Sequence, residues 1–121
     1  MSESHELGRT GEEHAAAYLI NKGYRILFRN WKWGANEIDI IAENNDFVVF
    51  VEVKTRSENF MEEPYRAVPV AKQKSIIRAA EGYIQRFRID KESRFDIVTI
   101  INKNGVLETD HIEDAFYPTL R

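Results

Sequence analysis

EIDIIAENNDFVVFVEVK, Glu37 to Lys54, is the stretch that decides how this chain folds. Two runs rich in Ile, Val and Phe flank Asn44 and Asn45, the pattern of a β-hairpin with a two-residue turn. Yet both runs carry charge, Glu37 and Asp39 on the first and Glu52 and Lys54 on the second. A bare carboxylate is costly to bury unless it is paired, hydrogen-bonded or metal-bound. Residues of like parity share one face of a strand. With Asn44 and Asn45 as the loop residues, Glu43 faces Asp46, Asp39 faces Phe50 and Glu37 faces Glu52, so all four polar side chains point the same way. They read as one constellation.

Around this hairpin the other elements follow from periodicity. A helix is predicted from about His5 to Lys22, ended by Gly23, with Gly8, Gly11, Ala15, Ala16 and Leu19 on a thin apolar side that also carries Glu12. Strands are expected at Tyr24–Lys32, Asn36–Glu43 and Asp46–Arg56, then a loop from Ser57 to Val68. Pro69 opens a second helix to about Phe87, whose core side is Ile76, Ile77, Ala80, Tyr83, Ile84 and Phe87, with Gln73 extending it. Strands at Phe95–Ile101 and Val106–Ile112 close the chain around the Asn102–Gly105 turn. No repeat or linker divides it. The order αβββαββ predicts one α/β domain over residues 1–121, a mixed central sheet flanked by helices.

The constellation suits Mg²⁺, which takes one or two carboxylates and fills its other positions with water and substrate phosphate oxygens. Asp39 and Glu52 fit as ligands, and the Val53 backbone carbonyl can add one. Lys54, two residues beyond Glu52, is placed to orient or deprotonate water or to neutralise phosphate charge. Glu12 is a candidate fourth member, with an exposed helix acid as the plain alternative. Gln73 is a candidate for holding water or phosphate, with capping as its alternative.

Asp39, then twelve residues, then Glu52-Val53-Lys54 after a leading helix resembles the PD-(D/E)XK nuclease superfamily. GRTGEEHAAAYLINKGYRIL, NEIDIIA, VFVEVKTR, VPVAKQKSI and RFDIVTI together resemble the YraN family of small bacterial nuclease-like proteins over nearly the whole chain. The pattern is also similar to archaeal Holliday-junction resolvases, in which a helix glutamate joins the strand acids, the place Glu12 holds here. Asn36-Glu37 stands before Ile38-Asp39, so no proline precedes the acid. The resemblance implies a restriction endonuclease-like fold and a metal-dependent endonuclease acting on DNA, with branched or damaged structures as candidate substrates and Mn²⁺ able to replace Mg²⁺.

Composition fits that expectation. The net charge is −3, but residues 66–94 hold a local excess of base, +5, between segments of −5 and −3. Lys72, Lys74 and Arg78 at the start of the second helix, with Arg56 after the strand acid, are candidate DNA contacts; an ordinary solvated helix face is the alternative. Trp31 and Trp33 alternate on one strand face with Arg29 and could stack on unpaired bases, the plain alternative being core or edge cover. His5, His14 and His111 lack zinc-ligand spacing. Asp96 is expected to make structural hydrogen bonds. The acidic loop SENFMEEPY, bracketed by Arg56 and Arg66, is long enough to act as a lid.

There are no cysteines, hence no disulfide, thiolate metal site or cysteine nucleophile. MSESHELGRTGEEH has neither the basic nor the apolar region of a signal peptide, and no run reaches transmembrane length, so a cytoplasmic protein without membrane attachment is expected. So small a domain offers little surface to grip branched DNA, which points to a homodimer or a protein partner. A non-catalytic nucleic-acid-binding or partner-binding module on the same fold is the rival function.

Overall fold

The computed structural model describes residues 3–57 and 68–118. Its elements are α1 (Glu3–Asn21), β1 (Arg25–Trp33), β2 (Asn36–Glu43), β3 (Phe47–Ser57), α2 (Val70–Phe87), β4 (Glu92–Lys103) and β5 (Val106–Phe116), the expected αβββαββ order. The five strands form one sheet in the order β1-β2-β3-β4-β5, antiparallel except for the parallel β3/β4 pair that α2 connects. Of the predicted loop, Ser57 ends β3 and residues 58–67, with Arg66, lie outside the described residues.

Alternation along β3 builds a three-layer domain. Val48 and Phe50 pack against Ile76, Ala79, Ala80 and Tyr83 of α2, while Val49 and Val51 pack against Ala15, Ala16 and Leu19 of α1. The helices therefore cover opposite faces, and β3 reads as nearly continuous hydrophobe because both its sides are buried. Gly23, at φ 95°, ends α1 in the left-handed conformation expected of it. At the other helix, Pro69 is the residue before the first turn, and the Gln73 N–H donates to its carbonyl at 2.9 Å.

The hairpin register differs from the expected one by two residues. Glu43 pairs with Val48 and Ile41 with Phe50, because the turn centres on Asn45 and Asp46 rather than on Asn44 and Asn45. The reason is the Asn44 side chain, whose Oδ1 accepts the N–H groups of Asp46 (2.9 Å) and Phe47 (2.8 Å) and so moves the turn one residue along. A slip of two preserves parity, so Glu52 and Lys54 stay on the expected face.

Two further features depart from simple alternation. Asn30, at φ 54°, turns β1 over between Arg29 and the tryptophans. As a result Arg29 stands near Glu12 on the α1 side, whereas Trp31 packs with α2, and the expected shared face is lost. Strands β4 and β5 are longer than Phe95–Ile101 and Val106–Ile112, since β4 pairs with β3 from Glu92 onward and β5 continues past Ile112 through a bulge. Asp114 in that bulge has φ 55°, and its N–H donates to Asp96 Oδ1 at 3.0 Å.

Helix α1 comes close to the sheet at Gly11, where a Cβ would collide with the Thr55 hydroxyl of β3. Gly11→Ala is expected to destabilise the fold by about 1–3 kcal/mol through overpacking. Thr55→Ala in the same chain should restore most of that loss in denaturant titration. An equal loss in the double variant would show that the close approach is not the cause.

Candidate active site

The pairing of β2 with β3 stops at Ile40–Val51. Beyond it the alternation of β2 breaks, with Ile38 packed toward α2 and Ile40 and Ala42 toward α1, and Asp39 lies at the crossing. Its Oδ2 accepts the Val53 N–H at 2.8 Å, so a side chain takes up a β3 amide where the strand partner ends. In the shifted register Asp39 stands opposite Glu52, one step beyond the last pair, and the Val53 bond holds it there.

Glu52 is buried, with 4 % of its surface exposed. Lys54 Nζ lies 3.6 Å and Lys72 Nζ 4.0 Å from its Oε2. Its carboxyl is pushed up to about 8, first by burial and then by the charge and hydrogen bonding of Asp39, against the pull of Lys72 and Lys54. Glu12 reaches the same place from α1, held in position by the Gly11 approach. Its carboxyl is likewise raised, by partial burial first and next by Asp39, with Arg29 opposing. Three acids thus crowd one end of the sheet.

Glu12, Asp39, Glu52 and Lys54 are brought together. Lys72, a candidate DNA contact, is also an ion-pair partner of Glu52. Sequence spacing could not show this, because it depends on where the first turn of α2 docks. Gln73 donates its side-chain amide to the Val68 carbonyl at 2.9 Å, a tie to the segment before the helix. Lys74 and Arg78 are exposed on α2. Arg56 Nη1 donates to the Thr55 carbonyl at 3.0 Å. Not foreseen at all was the bond from Ser75 Oγ to Asn36 Oδ1, which ties α2 to the start of β2 beside the site. Glu37 contributes its charge near Glu12.

Asp96 is elsewhere, fully buried and bound by Arg94, His111 and the Asp114 amide, as its structural reading implied. Among the described residues no group of three or more His, Cys, Asp or Glu side chains is arranged to hold a metal ion. Asp39 and Glu52, brought side by side, are two hard oxygen donors whose mutual repulsion a divalent cation would relieve. That is the set Mg²⁺ uses when water and phosphate complete its shell.

The crowding has a cost in the protein without metal. Because Glu52 titrates higher folded than unfolded, its contribution to stability is intact below the ordinary carboxylate range and declines as pH rises toward about 8. Glu52→Gln should therefore stabilise the chain in EDTA above that pH by about 1–3 kcal/mol, and make little difference near pH 4. A melting temperature that is unchanged or lower in alkaline EDTA would contradict this.

The model of the uncharacterised protein family UPF0102 matches residues 11–100. A UPF0102 protein of Bacteroides thetaiotaomicron is 48% identical over 120 residues, covering 99% of both chains. Another from Parabacteroides distasonis is 48% identical over 121 residues, covering 100% of both. A relative from Chlorobium phaeobacteroides is 43% identical over 122 residues, covering 95% of this chain and 96% of its own.

Proposed function

The chain belongs to the UPF0102 family, and from that premise we propose that it is a metal-dependent endonuclease that hydrolyses phosphodiester bonds in DNA. The observation that carries the reading is the convergence of Asp39, Glu52 and Lys54, with Glu12 beside them, where the β2/β3 pairing ends. Asp39 and Glu52 would hold Mg²⁺. When bound, the ion supplies Lewis-acid activation of water and neutralises phosphate charge.

The chain's own groups do the rest. The Val53 N–H fixes Asp39 Oδ2 and so sets the direction of the carboxylate. Lys54 Nζ, anchored by Glu52, presents its hydrogens where an attacking water or a phosphate oxygen would sit. Glu12 stands ready to accept a proton from that water. Hydrolysis forms one bond from water oxygen to phosphorus and breaks one ester bond, leaving a phosphate and a hydroxyl end. Lys72 adds positive charge at the same edge.

The test is cleavage of end-labelled four-way junction, flap, single-stranded and duplex DNA with Mg²⁺ or Mn²⁺. Metal-dependent cutting of any of them is the expected result. Absence of cutting on every substrate, with DNA binding retained, would replace this reading by that of a binding module.

A further inference from the structure

We propose that the exposed aromatic surface formed by β1 and α2 receives a DNA segment with unpaired bases, one of which stacks on Trp33. The inference rests on the endonuclease reading and narrows its substrate class to DNA that contains a single-stranded portion. Trp31 and Trp33 are stacked, with ring centroids 5.7 Å apart and planes 13° from parallel. Trp31 is the anchored member, partly buried and held edge-on by Tyr83 at 5.3 Å. Trp33 is 41 % exposed, and Gly82 of α2 leaves the room its indole needs, since a Cβ there would collide with the ring. The platform is thus built before any ligand arrives. Phe28 (39 % exposed) and Phe87 (43 %) continue the aromatic row, both leaning on Tyr83.

Charge identifies the occupant. Ser75, Arg78, Gly82 and Arg86 recur at helical spacing on one stripe of α2. Ser75 bonds Asn36 at the end of the β1/β2 hairpin and Gly82 backs Trp33, so Arg78 falls between them, on the same surface. Arg86 lies over the Phe87 ring at 5.7 Å. Along α2 the charged residues are Lys72, Lys74, Arg78 and Arg86 against Glu81 alone. Exposed aromatics lined with guanidinium and ammonium groups match a polyanion with π-faces, which is single-stranded nucleic acid. An apolar protein surface would leave those cations without partners. From Arg86 to Lys72 the helix runs about 21 Å, room for a few nucleotides, and it ends at the Lys72–Glu52 pair. A strand laid along it delivers its backbone to the carboxylates.

Trp31 and Trp33 are the only tryptophans, so their fluorescence reports this surface. The full chain in EDTA, where metal-dependent cleavage is silent, is titrated with a thymidine oligomer of about 12 nucleotides and with a duplex of equal length. Quenching by the single strand at lower concentration than by duplex is expected. Trp33→Ala should weaken single-strand binding by about 5- to 100-fold, and Trp33→Phe, which keeps a stacking ring and the fold, much less. Arg78→Glu should weaken it as well. Binding of the oligomer without quenching, or equal affinity in wild type and both Trp33 variants, would overturn the proposal. Cleavage without stacking would remove this inference alone. Stacking without cleavage would remove the endonuclease reading while leaving a single-strand-binding surface.

Discussion

An Asp39→Asn chain is expected to cut DNA at least about 100- to 1,000-fold more slowly than wild type, with its melting temperature nearly unchanged. Asparagine still offers an oxygen to the Val53 N–H, so the local backbone keeps its bond, and what is lost is the negative charge that a divalent ion needs. Asp39→Ala confuses the two effects, because it orphans that amide at a cost of about 1–3 kcal/mol. Lys54→Ala should reduce cutting by about 100-fold or more without touching the β2/β3 pairing. A readout independent of cleavage is available. Mg²⁺ should raise the melting temperature of wild type by mass action, and should raise it little or not at all in Asp39→Asn. Full activity in Asp39→Asn, or the same Mg²⁺ response, would show that this carboxylate is not a metal ligand.

The second large effect lies away from the site. Asp96→Ala is expected to cost about 3–5 kcal/mol, a drop in melting temperature on the order of 10 °C. Asp96 has no exposed surface and accepts Arg94 Nε at 2.9 Å and Nη2 at 2.8 Å, with His111 Nε2 at 2.7 Å. Arg94 Nη2 also donates to the Tyr24 hydroxyl at 2.6 Å, and the Arg94 guanidinium stacks over Phe47 at 5.0 Å. Removing the carboxylate leaves a buried guanidinium with only the half-exposed Glu113 carboxylate, 3.4 Å away, as countercharge, and the β5 bulge without its acceptor. Burial alone pushes the Asp96 carboxyl up, but hydrogen bonds from His111, Arg94 and the Asp114 amide together outweigh it and hold the group below the ordinary carboxylate range. The stability it supplies is complete above that range and disappears as pH falls through the lowered folded value. Urea titrations at pH 7 and at about pH 3 should therefore differ less in Asp96→Ala than in wild type. A loss under about 1 kcal/mol, or an unchanged acid limb, would reject this network as the second anchor of the sheet.

Much of the architecture could be read locally. Gly23 marked the end of α1, and the core spacing from Ile76 to Phe87 marked α2. The nearly unbroken apolar run of β3 required cover on both faces, which in a chain of this element order means one mixed sheet between two helices. Asp39, Glu52 and Lys54 stood out because charge in such strands needs a common reason, and Glu12 because it shares a side with the small residues of α1.

What the sequence determined by itself is what short-range periodicity and residue chemistry can carry: the elements, their order, the buried faces and the set of acids and lysine. The tertiary structure decided how those pieces register. Asn44 shifted the turn through two side-chain hydrogen bonds, and Asn30 turned Arg29 away from the tryptophans. The two-residue shift set Asp39, rather than Glu37, opposite Glu52. Docking of α2 made Lys72 a partner of Glu52. Each of these rests on a left-handed backbone residue, a side chain that replaces a backbone partner, or a contact between distant segments, and none has a period that a linear pattern can display.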